Sequence, residues 1–219
     1  MKIAEADILI VPGWSSSGPD HWQSRWEKNI RTARRIQQQD WYRPNKNAWV
    51  ARLVEEVAQS VRPVVLVAHS LGVITVAHAA AKLARLPGNA VAGAFLVAPA
   101  DVESAAGWPV TDGWTFENDP QRAHHQGGDG GGFAPIPMTP LPFPSALVAS
   151  STDPYCSRDR AALMADAWGS ALIESGDVGH INVASGQCSV CEVAPCLEHG
   201  TRAACSCCED DAALQRHLR

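Results

Sequence analysis

Ser70 stands at the end of an apolar, β-branched run, "PVVLVAHSLG", with Ala68 two positions before it and Gly72 two after. Small and apolar residues resume at once in "LGVITVAHAAAKLARL". A serine between a buried strand and a buried helix has two readings. It can cap the helix. Alternatively its hydroxyl is a nucleophile, and the chain must then supply a base, an acid to orient that base, and N–H groups for an oxyanion. The short pattern leaves the two readings level, and the partners decide.

Of the eight histidines, His180 is placed to be the base. It follows the last expected strand in "GDVGHINVASG", a loop bracketed by glycines, and fits the chain order serine, acid, histidine. His69 adjoins the serine, so its side chain is expected to point away from the site. His78 lies two turns into the Ala-rich helix and reads as packed or superficial. His124 and His125 fall in an irregular segment, and His199 and His217 near the carboxyl terminus. The favoured acid is Asp153, at the end of the penultimate strand in "LVASSTDPY". Asp101, in "LVAPADVE", ends the preceding strand and is the alternative, whereas Asp177 would have to double back. The acid accepts the imidazole N–H and fixes its tautomer. For the oxyanion, Leu71 offers the N–H after the nucleophile. In the loop "VPGWSSSGPDHW" Pro12 has no N–H and Gly13 permits a sharp turn, which leaves the N–H of Trp14.

These residues need strands and helices to hold them. Short apolar runs predict strands over 7–13, 63–69, 91–99, 144–151 and 170–175, with a polar strand at 34–40 near a sheet edge. Helical spacing or composition predicts helices over 17–29, 47–60, 71–86 and 157–168. Alternating strands and helices give an α/β fold: a doubly wound, mostly parallel sheet with helices on both faces and catalytic loops at the carboxyl ends of the strands. Residues 100–143 break the pattern with a glycine run and a proline-rich stretch, and read as an irregular excursion with room for a short helix before Gly127.

Composition sets the bounds. The chain has 219 residues, 46% hydrophobic and 19% charged, which suits one domain with a sizeable core. A net charge of -5 gives no reason to expect nucleic acid or an anionic membrane as partner. Glu5 and Asp7 interrupt any secretory h-region, and no apolar run is long enough to span a bilayer, so a cytoplasmic monomer or small homo-oligomer is expected. Six of the seven cysteines fall between 188 and 208. The chain therefore divides into a domain over 1–187 and a Cys-rich tail over 188–219. The tail has enough ligands for zinc, but it lacks a second clean C-x-x-C pair. The expectation is an irregular tail, with at most a short helix in "DDAALQRHL", and no metal or organic cofactor.

A small-x-Ser-x-Gly turn between strand and helix is the nucleophile elbow of α/β-hydrolases. The chain resembles the small serine hydrolases that include retinoblastoma-binding protein 9 and bacterial YdeN-like proteins. The pieces that carry the resemblance are "VPGWSSSGPDHWQSRWE", "QDWYRPNKNAWVARL", "PVVLVAHSLG", "FLVAPADVE", "PLPFPSALVASSTDPYCS" and "AWGSALIESGDVGHINVASG", in order over roughly residues 7 to 186. The resemblance implies a compact α/β-hydrolase without a large cap and a triad of Ser70, Asp153 and His180. It also implies that Asp20, His21 and Trp22 border the site, against which helix capping and packing weigh equally. The glycine stretch 126–132 departs from the family pattern, and beyond Gly186 the likeness fades. The expected activity is hydrolysis of a small ester, thioester or amide through an acyl-enzyme. A hydrophobic rim of Trp14, Trp22 and Phe143 would favour a modest apolar acyl or aryl group. The alternative is a binding or regulatory protein on a hydrolase scaffold.

Overall fold

The computed structural model describes residues 5–88, 90–104 and 130–186. Six strands form one sheet in the order β2-β1-β3-β4-β5-β6: β1 (Asp7–Val11), β2 (Ala33–Arg35), β3 (Val64–Ser70), β4 (Val91–Pro99), β5 (Ser145–Ala149) and β6 (Ala171–Glu174). All five ladders are parallel. Strand β2 lies at one edge, as its composition predicts, but it shares only Arg34 and Arg35 with the expected strand over 34–40 and ends before the buried Ile36. The order reverses between β1 and β3, the switch point where α/β sheets open their crevice.

Side-chain alternation sorts the sheet into two faces. Leu9, Val11, Leu66, Ala68, Leu96 and Leu147 share one core with the buried sides of α2 (Lys46–Ala58), α3 (Leu71–Leu83) and α4 (Arg158–Trp168). Ile8, Val67, Val97 and Val148 face the other way, against Trp22 and Trp26 of α1 (Trp22–Asn29) and against Ile181. Helix α1 is shorter than its pattern suggests. His21, not a residue near Pro19, is its N-cap, and its side chain accepts from the N–H of Gln23. Serine, aspartate and asparagine are the usual caps, so the sequence carries no ordinary start signal there.

Within the described part of the irregular stretch, Phe133 enters the core. This ring is fully buried, sits edge-on to Trp49 at 5.9 Å, and its carbonyl accepts from Nε2 of His78 at 2.7 Å. Gly130–Gly132 form one turn in which Gly131 and Gly132 take positive φ, 77° and 85°, a backbone that suits glycine. The expected short helix before Gly127, His124 and His125, and the Cys-rich tail lie outside the described residues. Among the described residues no helix is long and apolar enough to cross a membrane.

Candidate active site

Strand β3 passes into α3 without a linking residue, and the whole turn is absorbed at Ser70, with φ 56° and ψ -124°. A non-glycine residue held there carries on the order of 1–3 kcal/mol of strain. Burial on both sides sustains it: Ala68 is 0% and Leu71 1% exposed. The small residues flanking the serine are needed because β1 runs alongside, with Val11 paired to Ala68. A Cβ on Gly72 would lie 2.1 Å from the carbonyl oxygen of Val11 and 2.7 Å from that of Pro12. A Cβ on Gly13 would lie 2.7 Å from Cβ of Ser70 and 3.1 Å from the nitrogen of Leu71. Gly72→Ala is therefore expected to cost about 3 kcal/mol or more, because the clash is with backbone of a central strand. Gly18→Ala, with nothing within 4 Å, is the neutral control. Urea unfolding of the two variants checks this, and equal midpoints would contradict it.

The hydroxyl of Ser70 meets Nε2 of His180 at 2.9 Å. On the other side of the ring, Nδ1 lies 2.9 Å from each oxygen of Asp153. A carboxylate only accepts, so Nδ1 bears the proton. Nε2 of the neutral ring then accepts from the serine O–H. His180 and the Asp153 carboxylate are both buried, their side chains 8% and 2% exposed. The backbone N–H of Tyr155 also donates to Asp153 at 2.9 Å, and the Tyr155 ring lies edge-on to His180 at 4.5 Å. Tyr155 is not among the residues expected at the site, and its place two residues after the acid, behind Pro154, is the sequence signal that points to it. Asp101 is engaged elsewhere, 3.3 Å from Nε of Arg160. Asp177 accepts from the hydroxyl of Ser151. Cys156 stands nearby, but burial, with Asp101 and Asp153 adding to it, pushes its thiol up to about 12, so it holds no thiolate to rival the serine.

Leu71 is the first residue of α3, and its N–H has no partner within the helix. Gly13 brings the loop after β1 against it, and Trp14 follows, half-buried, with its indole N–H on the carbonyl of Tyr42 at 3.1 Å. Two expected rim residues are displaced. Trp22 is fully buried, so its ring offers substrate no surface. Phe143 precedes β5 and lines a cavity with Pro63, Leu86 and Val91 at the amino ends of the strands. A strand of five residues, about 16 Å, separates it from the end that carries Asp153.

His21 is buried as well, with its ring 4.9 Å from that of His69. Burial, then the positive charge of Arg35, lowers its pKa from 6.5 to about 4, and burial lowers that of His69 in the same direction. Both histidines therefore fold neutral, and between pH 6.5 and 4 the unfolded chain binds more protons than the folded one. Stability is complete above about pH 6.5 and is lost as pH falls towards 4, by roughly 2–3 kcal/mol for His21. His21→Asn keeps an acceptor at the cap and removes the titration. Urea midpoints at pH 7.5 and 4.5 should differ less in that variant than in wild type, and an unchanged difference would contradict the assignment.

The sequence pattern of the family described as "Serine hydrolase" matches residues 8–199. The chain belongs to the serine hydrolase family. The match continues past Gly186, so the family likeness reaches further towards the carboxyl end than the motifs alone suggest. Among solved structures, this serine hydrolase is similar to a protein of Pectobacterium atrosepticum described as a YdeN-like hydrolase. The two are 31% identical over 84% of this chain and 85% of that one, with a TM-score of 0.63. The ydeN product of Bacillus subtilis matches at 19% identity over 86% and 94%, with a TM-score of 0.57. RedJ, a thioesterase of the prodiginine pathway in Streptomyces coelicolor, matches at 13% identity over 80% and 82%, with a TM-score of 0.53. The last two likenesses speak for the α/β-hydrolase fold, and the YdeN-like part of the resemblance is the part these matches carry. No match is found among curated proteins. Among the described residues, no group of three or more His, Cys, Asp or Glu side chains is arranged to hold a metal ion.

Proposed function

We propose that this hydrolase cleaves a small carboxylic ester or thioester through an acyl-enzyme on Ser70, with His180 as general base and Asp153 as its orienting acid. The observation that carries the reading is the unbroken chain of 2.9 Å contacts from Ser70 Oγ through the imidazole to the Asp153 carboxylate. As Oγ bonds to the acyl carbon, its proton passes to Nε2 and the carbonyl π pair moves onto oxygen. The N–H of Leu71, at the positive end of α3, and that of Trp14 stabilise the oxyanion. The imidazolium then gives its proton to the departing alkoxide or thiolate as the C–O or C–S bond breaks. Water, deprotonated by the same nitrogen, attacks the acyl carbon, and the imidazolium returns that proton to Oγ of Ser70 as the acyl C–O bond breaks and the acid leaves.

The half-exposed Trp14 and Tyr155 rings favour an apolar acyl or aryl group. RedJ shares only the fold at its level of identity and does not choose between oxygen and sulfur leaving groups. The test is a series of p-nitrophenyl esters and acyl thioesters from acetyl to decanoyl. Turnover should be preceded by a burst of chromophore equimolar with protein wherever deacylation is slow. An absence of turnover on every ester and thioester would count against the reading and leave a binding role on this scaffold.

A further inference from the structure

The base is carried by a loop, and a loop needs something to hold it. Side-chain alternation along β3 turns Ser70 towards the site and His69 to the opposite face, beneath residues 178–181. There, Nε2 of His69 lies 2.9 Å from the backbone oxygen of His180. The next carbonyl, that of Ile181, accepts from the indole N–H of Trp22 at 3.0 Å. Two consecutive carbonyls are thus held by two buried side chains from different elements, 111 and 159 residues away in sequence. Since a carbonyl only accepts, the proton of His69 is on Nε2.

Ser150 and Thr152 accept from the N–H groups of Val178 and Gly179 at 3.1 and 3.0 Å and hold the start of the loop, but neither bonds residues 180 or 181. Ile181, β-branched, is held at φ 49°, a conformation such residues avoid. The imidazoles of His69 and His180 lie with centroids 4.8 Å apart, their planes inclined at 55°. Releasing the His180 carbonyl would let the peptide rotate and swing the ring away from Ser70. We propose that His69 and Trp22 form a clasp that positions the His180 ring between Ser70 and Asp153 by fixing the carbonyls of residues 180 and 181. The inference rests on the triad reading given under Proposed function. His69 and Trp22 touch no reacting atom and are positioning residues.

The test compares His69→Leu, which removes the donor, with His69→Gln, whose amide nitrogen sits near the place of Nε2. His69→Leu should lower kcat on the order of 10–100-fold, with KM changed less than about threefold, because a displaced base impairs chemistry more than binding. His69→Gln should recover most of the rate. In a His180→Ala background, His69→Leu should cause no further loss, since there is no ring left to position. The same loss in both backgrounds would mean a general structural effect and overturn the clasp. Wild-type rates in His69→Leu, with Ser70→Ala and His180→Ala inactive, would overturn the clasp and leave the triad standing. If His69→Leu does not fold, Trp22→Phe serves in its place, with a kcat loss in the same direction expected and an unchanged kcat contradicting the inference. A proton NMR readout needs no turnover, so it judges the clasp even if the triad reading fails. The low-field Nδ1–H resonance of His180 should be present in wild type and His69→Gln and lost in His69→Leu. Its survival in His69→Leu would overturn the proposal.

Discussion

Ser70→Ala is expected to lower kcat by about 10⁴–10⁶-fold while the protein stays folded. The size follows from the chemistry. Without Oγ there is no acyl-enzyme, and what remains is binding plus oxyanion stabilisation by N–H groups that the substitution leaves in place. Alanine should also be tolerated by the fold. Ser70 makes no side-chain bond to the backbone of α3, so its hydroxyl is not a helix cap. Circular dichroism and a melting temperature close to wild type, with turnover lost, would separate nucleophile from structural serine. Turnover retained within tenfold would remove Ser70 from the mechanism.

Asp153→Asn is expected to lower kcat on the order of 10⁴-fold, through the imidazole tautomer rather than through its position. An asparagine amide presents an N–H to Nδ1, which favours the proton on Nε2, where it blocks acceptance from the serine. Asp101→Asn should be mild in turnover. It weakens the contact with Arg160, a residue 3.3 Å away that also pairs with Glu103. Steady-state kinetics on the two variants decides the matter, and the reverse ranking would move the acid to the end of β4.

Much of this site is legible in the sequence because strand ends are legible. Short apolar runs closed by Gly, Pro or Asp mark where a parallel sheet stops, and the fold puts its polar groups there. Ser70, Asp153 and His180 each follow such a run, and the structure brings the three together. Strand alternation also predicts that His69 points away from the serine. What it cannot give is the destination of that ring, since the loop above it comes from 111 residues further along.

Trp22 is no rim residue, and the reason is the same. Helical spacing shows that it shares a face with Trp26, but not that α1 docks beneath the loop of His180, where its indole N–H finds a carbonyl. For Phe143 a local signal of its true place is present. A residue just before a strand belongs to the amino edge of a parallel sheet, the edge opposite the chemistry. The start of α1 was obscured by a histidine serving as N-cap, a role that residue type seldom signals.

Ser70, activated by His180, should be the residue that a serine-directed covalent reagent modifies. A fluorophosphonate reagent phosphonylates an activated serine and expels fluoride. Peptide mass spectrometry after brief exposure should find one adduct, on Ser70 of the wild-type protein. Ser70→Ala should carry none, and His180→Ala should react far more slowly. An adduct at another residue, equal labelling of folded Ser70→Ala, or no labelling of the folded wild-type protein would show that Ser70 is not the nucleophile.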